Sequence, residues 1–212
     1  NFTLFTTDVK VVPGSAKLQN SVGGELITQA IKPENSARKT QMLKEAVQHL
    51  TEAVRVHPGY KNAFLLLGNA HNYLKQYDLS IQYFEQALQL DPNYAEARTN
   101  LGITYRDAGR YFGEQQGDVA KALQYLEKAY QLRPDEYETL RLLGVAYGIS
   151  GQGAKAVEFF AKALAAEPQN ADAFFNLGTA WYNIGEIEKA NEYFQKAKSI
   201  NPNIEEERRG RQ

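Results

Sequence analysis

Pro13, Pro58, Pro92, Pro134, Pro168 and Pro202 punctuate this chain at separations of 45, 34, 42, 34 and 34 residues. A self-similar period of that length means small units that cannot bury their apolar faces alone and must stack on copies of themselves. Lys61 to Tyr94 displays the unit most clearly. Phe64, Leu67, Gly68 and His71 recur at i, i+3, i+4 and i+7, one face of a helix. Ile81, Phe84, Ala87 and Leu88 do the same for a second helix, and Lys75 to Asp78 makes the turn between them. Pro92 removes a donor and ends the second helix.

The other copies repeat the pattern. Val22-Gly23, Leu67-Gly68, Leu101-Gly102, Leu143-Gly144 and Leu177-Gly178 mark five first helices. Leu50, Phe84, Leu126, Phe160 and Phe194 mark five second helices, each followed three residues later by an alanine: Ala53, Ala87, Ala129, Ala163 and Ala197. Ala46, Ala122, Ala156 and Ala190 stand four residues before the large apolar residue, and Ser80 takes that place in the second copy. A glycine inside a helix costs roughly 1 kcal/mol against alanine. Its recurrence predicts that the second helix of the same unit crosses close to Gly68, Gly102, Gly144 and Gly178, where a larger side chain overpacks the crossing by about 1–3 kcal/mol.

A 34-residue helix–turn–helix with Leu-Gly, then Ala-x3-Phe, then Pro resembles the tetratricopeptide repeat (TPR), over residues 1–204. The resemblance implies an all-α fold, an α-α superhelix that winds as a right-handed solenoid, in a single domain over 1–212. Residues 1–15 read as a truncated repeat with the second helix only, with Phe5, Val11 and Pro13 in the places of Phe84, Leu90 and Pro92, and Asp8 where other copies carry alanine. Repeats at 16–60, 61–94, 95–136, 137–170 and 171–204 follow, then a polar tail, 205–212. This opening half-repeat reads as a cut from a longer protein, and the poorly capped last hairpin as a surface for self-association. Asn1-Phe2-Thr3 fits a glycosylation sequon and is read as chance.

Two copies are longer. Lys32 to Gln41 is an insertion before a long second helix expected to start near Pro33 and run to His57; Arg110 to Gly117 adds eight residues to a turn. Both are expected at the same place in alternate copies, so the edge loop carrying Tyr111 and Phe112 is a candidate contact surface. The plainer reading is that the two rings cover neighbouring helix ends. Asn93-x-x-Glu96, Asp135-x-x-Glu138 and Asn203-x-x-Glu206 resemble helix-start boxes.

Composition closes off several chemistries. The chain has 212 residues, 43% hydrophobic and 23% charged, with a net charge of −1. That is an ordinary globular balance without the basic surplus of a nucleic-acid binder. It has no cysteine, which removes disulfides, thiol nucleophiles and zinc ribbons. No run reaches the roughly 18 apolar residues of a membrane span. Gly151-Gln152-Gly153-Ala154-Lys155-Ala156 matches a dinucleotide-binding pattern, but a helix precedes it where a strand is needed. The stretch from Gly148 also resembles a phosphate loop, interrupted by Ala154 before Lys155. His49, His57 and His71 lack metal-ligand spacing, and His71 stands where other copies carry Tyr105 and Tyr147, a packing place. No cofactor, metal or catalytic residue is expected, and the chain is read as not an enzyme.

Binding remains. The resemblance implies that the first helices line a concave groove that holds a peptide or partner segment. Carried onto this sequence, the groove comprises Leu65, Asn69, Asn72, Tyr73, Thr99, Asn100, Ile103, Arg106, Asp107, Arg141, Val145, Ile149, Phe175, Thr179, Tyr182 and Asn183. Asn69, Asn100, Arg106 and Arg141 would hold peptide backbone or an acidic side chain, and Tyr73, Phe175 and Tyr182 its apolar side chains. For Asn100 the plainer reading is a tie from one helix to the next. Asn69 and Asn100 match the asparagines of repeats that clamp chaperone C-termini, but Glu138 and Leu142 replace the basic residues of that clamp. Asn100 and Asn176 resemble the asparagine ladder of the O-GlcNAc transferase repeats. Leu4 to Lys17 resembles the soluble tail of multi-spanning membrane proteins related to O-mannosyltransferases. That resemblance implies a regulatory or substrate-presenting role on the extracytoplasmic side of a bacterial membrane, the alternative to a free interaction scaffold. A free-standing enzyme is the third class. The expected partner is a protein or peptide, with no nucleic acid and no membrane insertion by this segment.

Overall fold

The computed structural model describes residues 14–209. The expected half-repeat at 1–15 lies almost wholly outside the described residues, as do the Asn1 sequon and Gly210. Among the described residues there are eleven α-helices and no strand. They are α1 (Ala16–Ala30), α2 (Lys39–Val56), α3 (Lys61–Tyr73), α4 (Tyr77–Leu90), α5 (Ala95–Arg110), α6 (Val119–Leu132), α7 (Tyr137–Ile149), α8 (Gly153–Ala166), α9 (Ala171–Asn183), α10 (Ile187–Ile200) and α11 (Ile204–Arg209). The chain divides into two compact segments, 1–104 and 105–212.

In the first segment α1 packs on α2, α2 on α3 and α3 on α4. Val22, Leu43, Leu50 and Leu67 are buried among small residues, Ala46, Ala53 and Ala63. A fully buried leucine contributes about 1.5–3 kcal/mol over an exposed one, so these contacts hold the hairpins together. A Cβ placed on Gly23 or Gly68 would meet Leu50 or Phe84 at 2.5 Å, the close crossing that the spacing predicts. Ser80 does more than replace alanine. Its hydroxyl donates to the Gly68 carbonyl at 2.8 Å, which leaves the wholly buried Thr104 to donate to Ser80 at 3.3 Å. The 34-residue repeat thus carries a small satisfied polar chain where the others carry a methyl group.

The insertion after α1 is not the start of one long helix. Pro33–Arg38 forms a 3₁₀ turn and α2 begins at Lys39. Pro33 sits at the turn's first position, where its missing N–H costs nothing.

In the second segment α7 pairs with α8 and α9 with α10, and α6 packs on α7 as α8 does on α9. Here the expectation about the enlarged copy is corrected. Arg110 to Gly117 is mostly helix: α5 runs to Arg110 and continues as a π-helical turn over Tyr111–Gln115, closed by Gln116 N donating to Tyr111 O at 3.3 Å. The glycine beneath Leu126 is accordingly Gly109, not Gly102; a Cβ there would lie 2.5 Å from Leu126 Cγ. Gly109 lies seven residues, two helical turns, beyond Gly102 and so on the same face. Seven of the eight extra residues lengthen the helix without rotating its buried side. The eighth goes into the wide turn, because an i→i+5 turn holds one residue more than an i→i+4 turn.

Helix starts follow local chemistry. Ser15, Asp118, Glu136 and Asn170 each accept a hydrogen bond from a backbone N–H three residues on. At α7 the cap is thus Glu136, which also accepts from the Thr139 hydroxyl, and not the expected Asp135. Gly117, Gly151 and Gly185 take positive φ in the turns between paired helices, and Lys75 holds the same conformation at φ 58° at a cost of about 1 kcal/mol.

Candidate functional site

In the first segment Asn69 and Asn100, expected to grip a peptide, instead grip each other, and Asn20 and Asn62 make similar ties. Asn20 donates to Asn62 at 3.0 Å, Asn62 to the Tyr94 hydroxyl at 3.4 Å, and Asn100 to Asn69 at 2.9 Å. The plainer reading of Asn100, a tie between successive first helices, is the observed one. Leu65 is 1% exposed and belongs to the core, not to a groove wall. Tyr73 is exposed with Lys39 Nζ 5.4 Å over its ring, Thr99 is exposed, and Asn72 and Ile103 are half-buried.

The second segment holds a balanced charge network. Arg106 donates to Glu136 and to Asp107, both at 2.8 Å; Arg141 forks onto Glu138 at 2.7 and 2.9 Å; Arg110 reaches Glu138 at 3.3 Å. Burial works against the Arg106 charge, yet the Asp107 and Glu136 carboxylates outweigh it and hold its pKa above the ordinary arginine value. Burial likewise pushes Glu138 up, and the Arg141 hydrogen bonds with the Arg141 and Arg110 charges bring it below the ordinary range. The Glu138 hydrogen bond raises the Arg141 pKa, against burial. Three guanidinium groups face three carboxylates. Arg106 and Arg141, expected to hold peptide backbone or an acidic side chain, are each already paired with carboxylates of the chain itself.

Tyr111 and Phe112 do not form a projecting loop. Phe112 stacks on Tyr125 at 5.5 Å with the ring planes 10° apart, and Lys121 Nζ lies 3.8 Å from its ring centre. The equivalent stacks are His71 on Tyr83 and Tyr147 on Phe159, each three residues after the crossing glycine. Phe112 is therefore a packing residue whose place moved with Gly109. Tyr111 meets Phe112 edge-on at 5.4 Å and its hydroxyl accepts from Gln116 at 3.1 Å. Phe112 thus packs on the face of α6 and Tyr111 on Phe112.

Space for a ligand lies along α7, α9 and α11. A cavity of about 960 Å³ is lined by Arg141, Asp172, Phe175, Asn176, Thr179 and Arg208, among others. A second, of about 540 Å³, is lined by Val145, Ile149, Asn183 and Ile184, and shares Asn176, Thr179 and Arg208 with the first. One end is charged and aromatic, the other aliphatic. Ile149 is 68% exposed and Val145 is also open to solvent. Gly153 explains the dinucleotide-like motif by packing alone: a Cβ there would stand 2.3 Å from Ile184 Cγ2. Of the expected groove residues, the structure brings Arg141, Val145, Ile149, Phe175, Thr179 and Asn183 to these cavities. Tyr182 is 58% exposed and lines neither of them. Two residues that line both, Asn176 and Arg208, lie outside the groove set expected from the sequence. Asn176 carries a readable signal, since it precedes Leu-Gly as Asn100 does. Arg208 lies in the polar tail and carries none beyond the helix-start box at Asn203.

His71 and His49 each meet a glutamine oxygen through Nδ1 at 2.7 Å. Burial lowers both pKa values, against Gln76 for His71 and Glu45 for His49. Among the described residues no His/Cys/Asp/Glu group could hold a metal, and no helix is long and apolar enough to cross a membrane.

Comparison with known proteins gives three family models described as tetratricopeptide repeat, matching residues 61–135, 114–171 and 149–208. The chain is built of tetratricopeptide repeats. Among solved structures, the TPR protein YrrB, described as having an unusual peptide-binding site, is 22% identical with a TM-score of 0.59, covering 93% of this chain and 92% of its own. MamA from Desulfovibrio magneticus RS-1 is 22% identical with a TM-score of 0.60, covering 88% and 95%. No curated protein matches the chain. These TPR matches do not bear out the O-mannosyltransferase resemblance, whose segment, Leu4 to Lys17, falls mostly outside the described residues.

Proposed function

We propose that this chain is a non-catalytic protein-interaction scaffold that holds an extended peptide segment along the first helices α7 and α9. The observation that carries the reading is the pair of adjoining cavities, one charged and aromatic, one aliphatic. Together they offer a peptide both hydrogen-bonding partners and an apolar seat. Three residues of extended chain reach about 10 Å, the spacing of neighbouring packed helices. A peptide crossing α7 and α9 therefore meets Val145 and Ile149 with one side chain and Thr179, Asn183 or Phe175 with another. The peptide-binding description of YrrB supports the reading at the level of a shared fold.

Selection of a phage-displayed peptide library on the purified chain tests it. Ile149→Asp should weaken the selected peptides about tenfold or more, since burying this side chain is worth about 1.5–3 kcal/mol, with an unchanged circular dichroism spectrum. Peptides that bind Ile149→Asp and Thr179→Arg as well as the parent chain would place binding elsewhere and overturn the proposal.

A further inference from the structure

The charged end of the groove already contains a guanidinium group from the chain itself. Arg208, on the two-turn helix α11, donates through Nη1 to the Asp172 carboxylate and through Nη2 to Asn176 Oδ1 at 2.7 Å, and its Cζ lies 4.7 Å over the Phe175 ring. A carboxylate, an amide oxygen and an aromatic face converge on one planar cation, the set of partners that arginine satisfies and lysine does not. Asn176 is 6% exposed, so its oxygen is positioned by the surrounding helices. Asp172, Phe175 and Asn176 all belong to α9, so the receptor exists without the residue that fills it.

The occupant is weakly held. Arg208 and Asp172 side chains keep 30% and 36% of their surfaces open, where an ion pair contributes little net stability. α11 is anchored by the buried Ile204 at its first residue, and Lys198 meets its Glu205 at 2.9 Å. A partner arginine therefore displaces this contact if its neighbouring residues also gain the aliphatic end of the groove.

We infer that Asp172, Asn176 and Phe175 form an arginine-recognition subsite of the peptide groove, and that Arg208 occupies it as a built-in competitor. This rests on the peptide-groove reading above and gives it a ligand chemistry: a partner segment with an arginine a few residues from an aliphatic side chain. It also makes the tail a regulator, since anything that lifts α11 opens the subsite.

The probes are two synthetic acetylated, amidated hexapeptides, Leu-Ala-Ala-Arg-Ala-Ala and the same peptide with citrulline for arginine, which keeps the planar shape but loses the charge and has a carbonyl acceptor in place of one terminal NH2 donor group. Binding is followed by the NMR signals of the Asn176 side-chain amide and the Phe175 ring in the full chain and in Arg208→Ala. The arginine peptide should bind Arg208→Ala at least about fivefold more tightly than the parent chain, shift both signals and outcompete the citrulline peptide. Asp172→Asn in the Arg208→Ala background should abolish that preference, with the thermal midpoint reported beside it as the folding control. Equal affinity for the two peptides, or no gain on removing Arg208, overturns the inference. The two readings fail separately. Library peptides that need Ile149 but show no arginine enrichment leave the groove standing without the subsite. Arginine-dependent shifts at Asn176 that Ile149→Asp leaves untouched keep the subsite and remove the extended groove.

Discussion

Gly109 lies under Leu126 with no room for a methyl group: a Cβ would stand 2.5 Å from Leu126 Cγ and 3.2 Å from the Ala122 carbonyl oxygen. Alanine gains about 1 kcal/mol of helix propensity over glycine, yet overpacking at a crossing costs about 1–3 kcal/mol or more. Gly109→Ala should therefore lose stability in urea unfolding by up to about 2 kcal/mol. Gly113→Ala, whose Cβ meets Ala122 Cβ at an ordinary 3.4 Å, should lose none. His71 supplies the second residue-scale prediction. Burial depresses its folded pKa below the unfolded value near 6.5. The unfolded chain then binds the proton more readily, and stability falls as the pH drops below about 6.5. His71→Phe, in the place that Phe112 fills elsewhere, should lessen the loss between pH 7 and pH 5.5. An identical pH slope in parent and variant, measured by denaturant unfolding, would show that this ring does not titrate on unfolding. The aromatic place of His71 was legible from its alignment with Tyr147. Its glutamine partner was not, because Gln76 lies in a turn whose path the helical period does not specify.

At the scale of elements, α5 is where periodicity misled and geometry answered. The run RYFGEQQG, with two glycines and two amides, has the composition of a loop, and the sequence places it in an enlarged turn. The structure continues the helix because Phe112 can then repeat the stack that His71 and Tyr147 make in two other pairs, and aromatic stacking of this kind adds about 0.5–1.5 kcal/mol beyond burial. Local propensity is a weak prior that packing overrides. Deleting Gly113 should convert the π turn to α-helix and leave the crossing at Gly109 intact, with a small change in thermal midpoint. Deleting Leu66 from the regular α3 should rotate everything beyond it by about 100° and unfold the repeat. A larger loss from the Gly113 deletion than from the Leu66 deletion would refute the account of seven residues plus one. The paired helices, their crossing glycines and the buried alanines were all legible, since each recurs in several copies. Of the asparagine ties only the one at Asn100 was legible; those at Asn20 and Asn62 and the Arg208 contact were not. These depend on residues 32 to 42 apart in sequence meeting across neighbouring units, and a single copy shows no pattern for that.

Across the whole molecule, stability in stacked repeats is approximately a sum of local and nearest-neighbour terms. Ala163 is 1% exposed between packed helices, and a leucine there has nowhere to go. Ala163→Leu should raise amide exchange first in α7 to α10 and leave the protection of residues 16–90 unchanged. Uniform loss of protection throughout would mean one cooperative body. The proposed groove was half legible at this scale: the sequence points to the first-helix face, but which of its polar residues are already paired within the chain only the fold reveals.

The division of eight extra residues into two whole turns and one wide turn bears on how such a chain changes over generations. A stretch of coding sequence can enter a first helix without scrambling which residues face inward, provided its length is close to a multiple of the heptad. The remainder is parked where the backbone widens. An insertion is also accommodated outside the helices, as at Pro33–Arg38. Length is therefore heritable in coarse steps here, and a wide turn marks the place where a step did not quite fit.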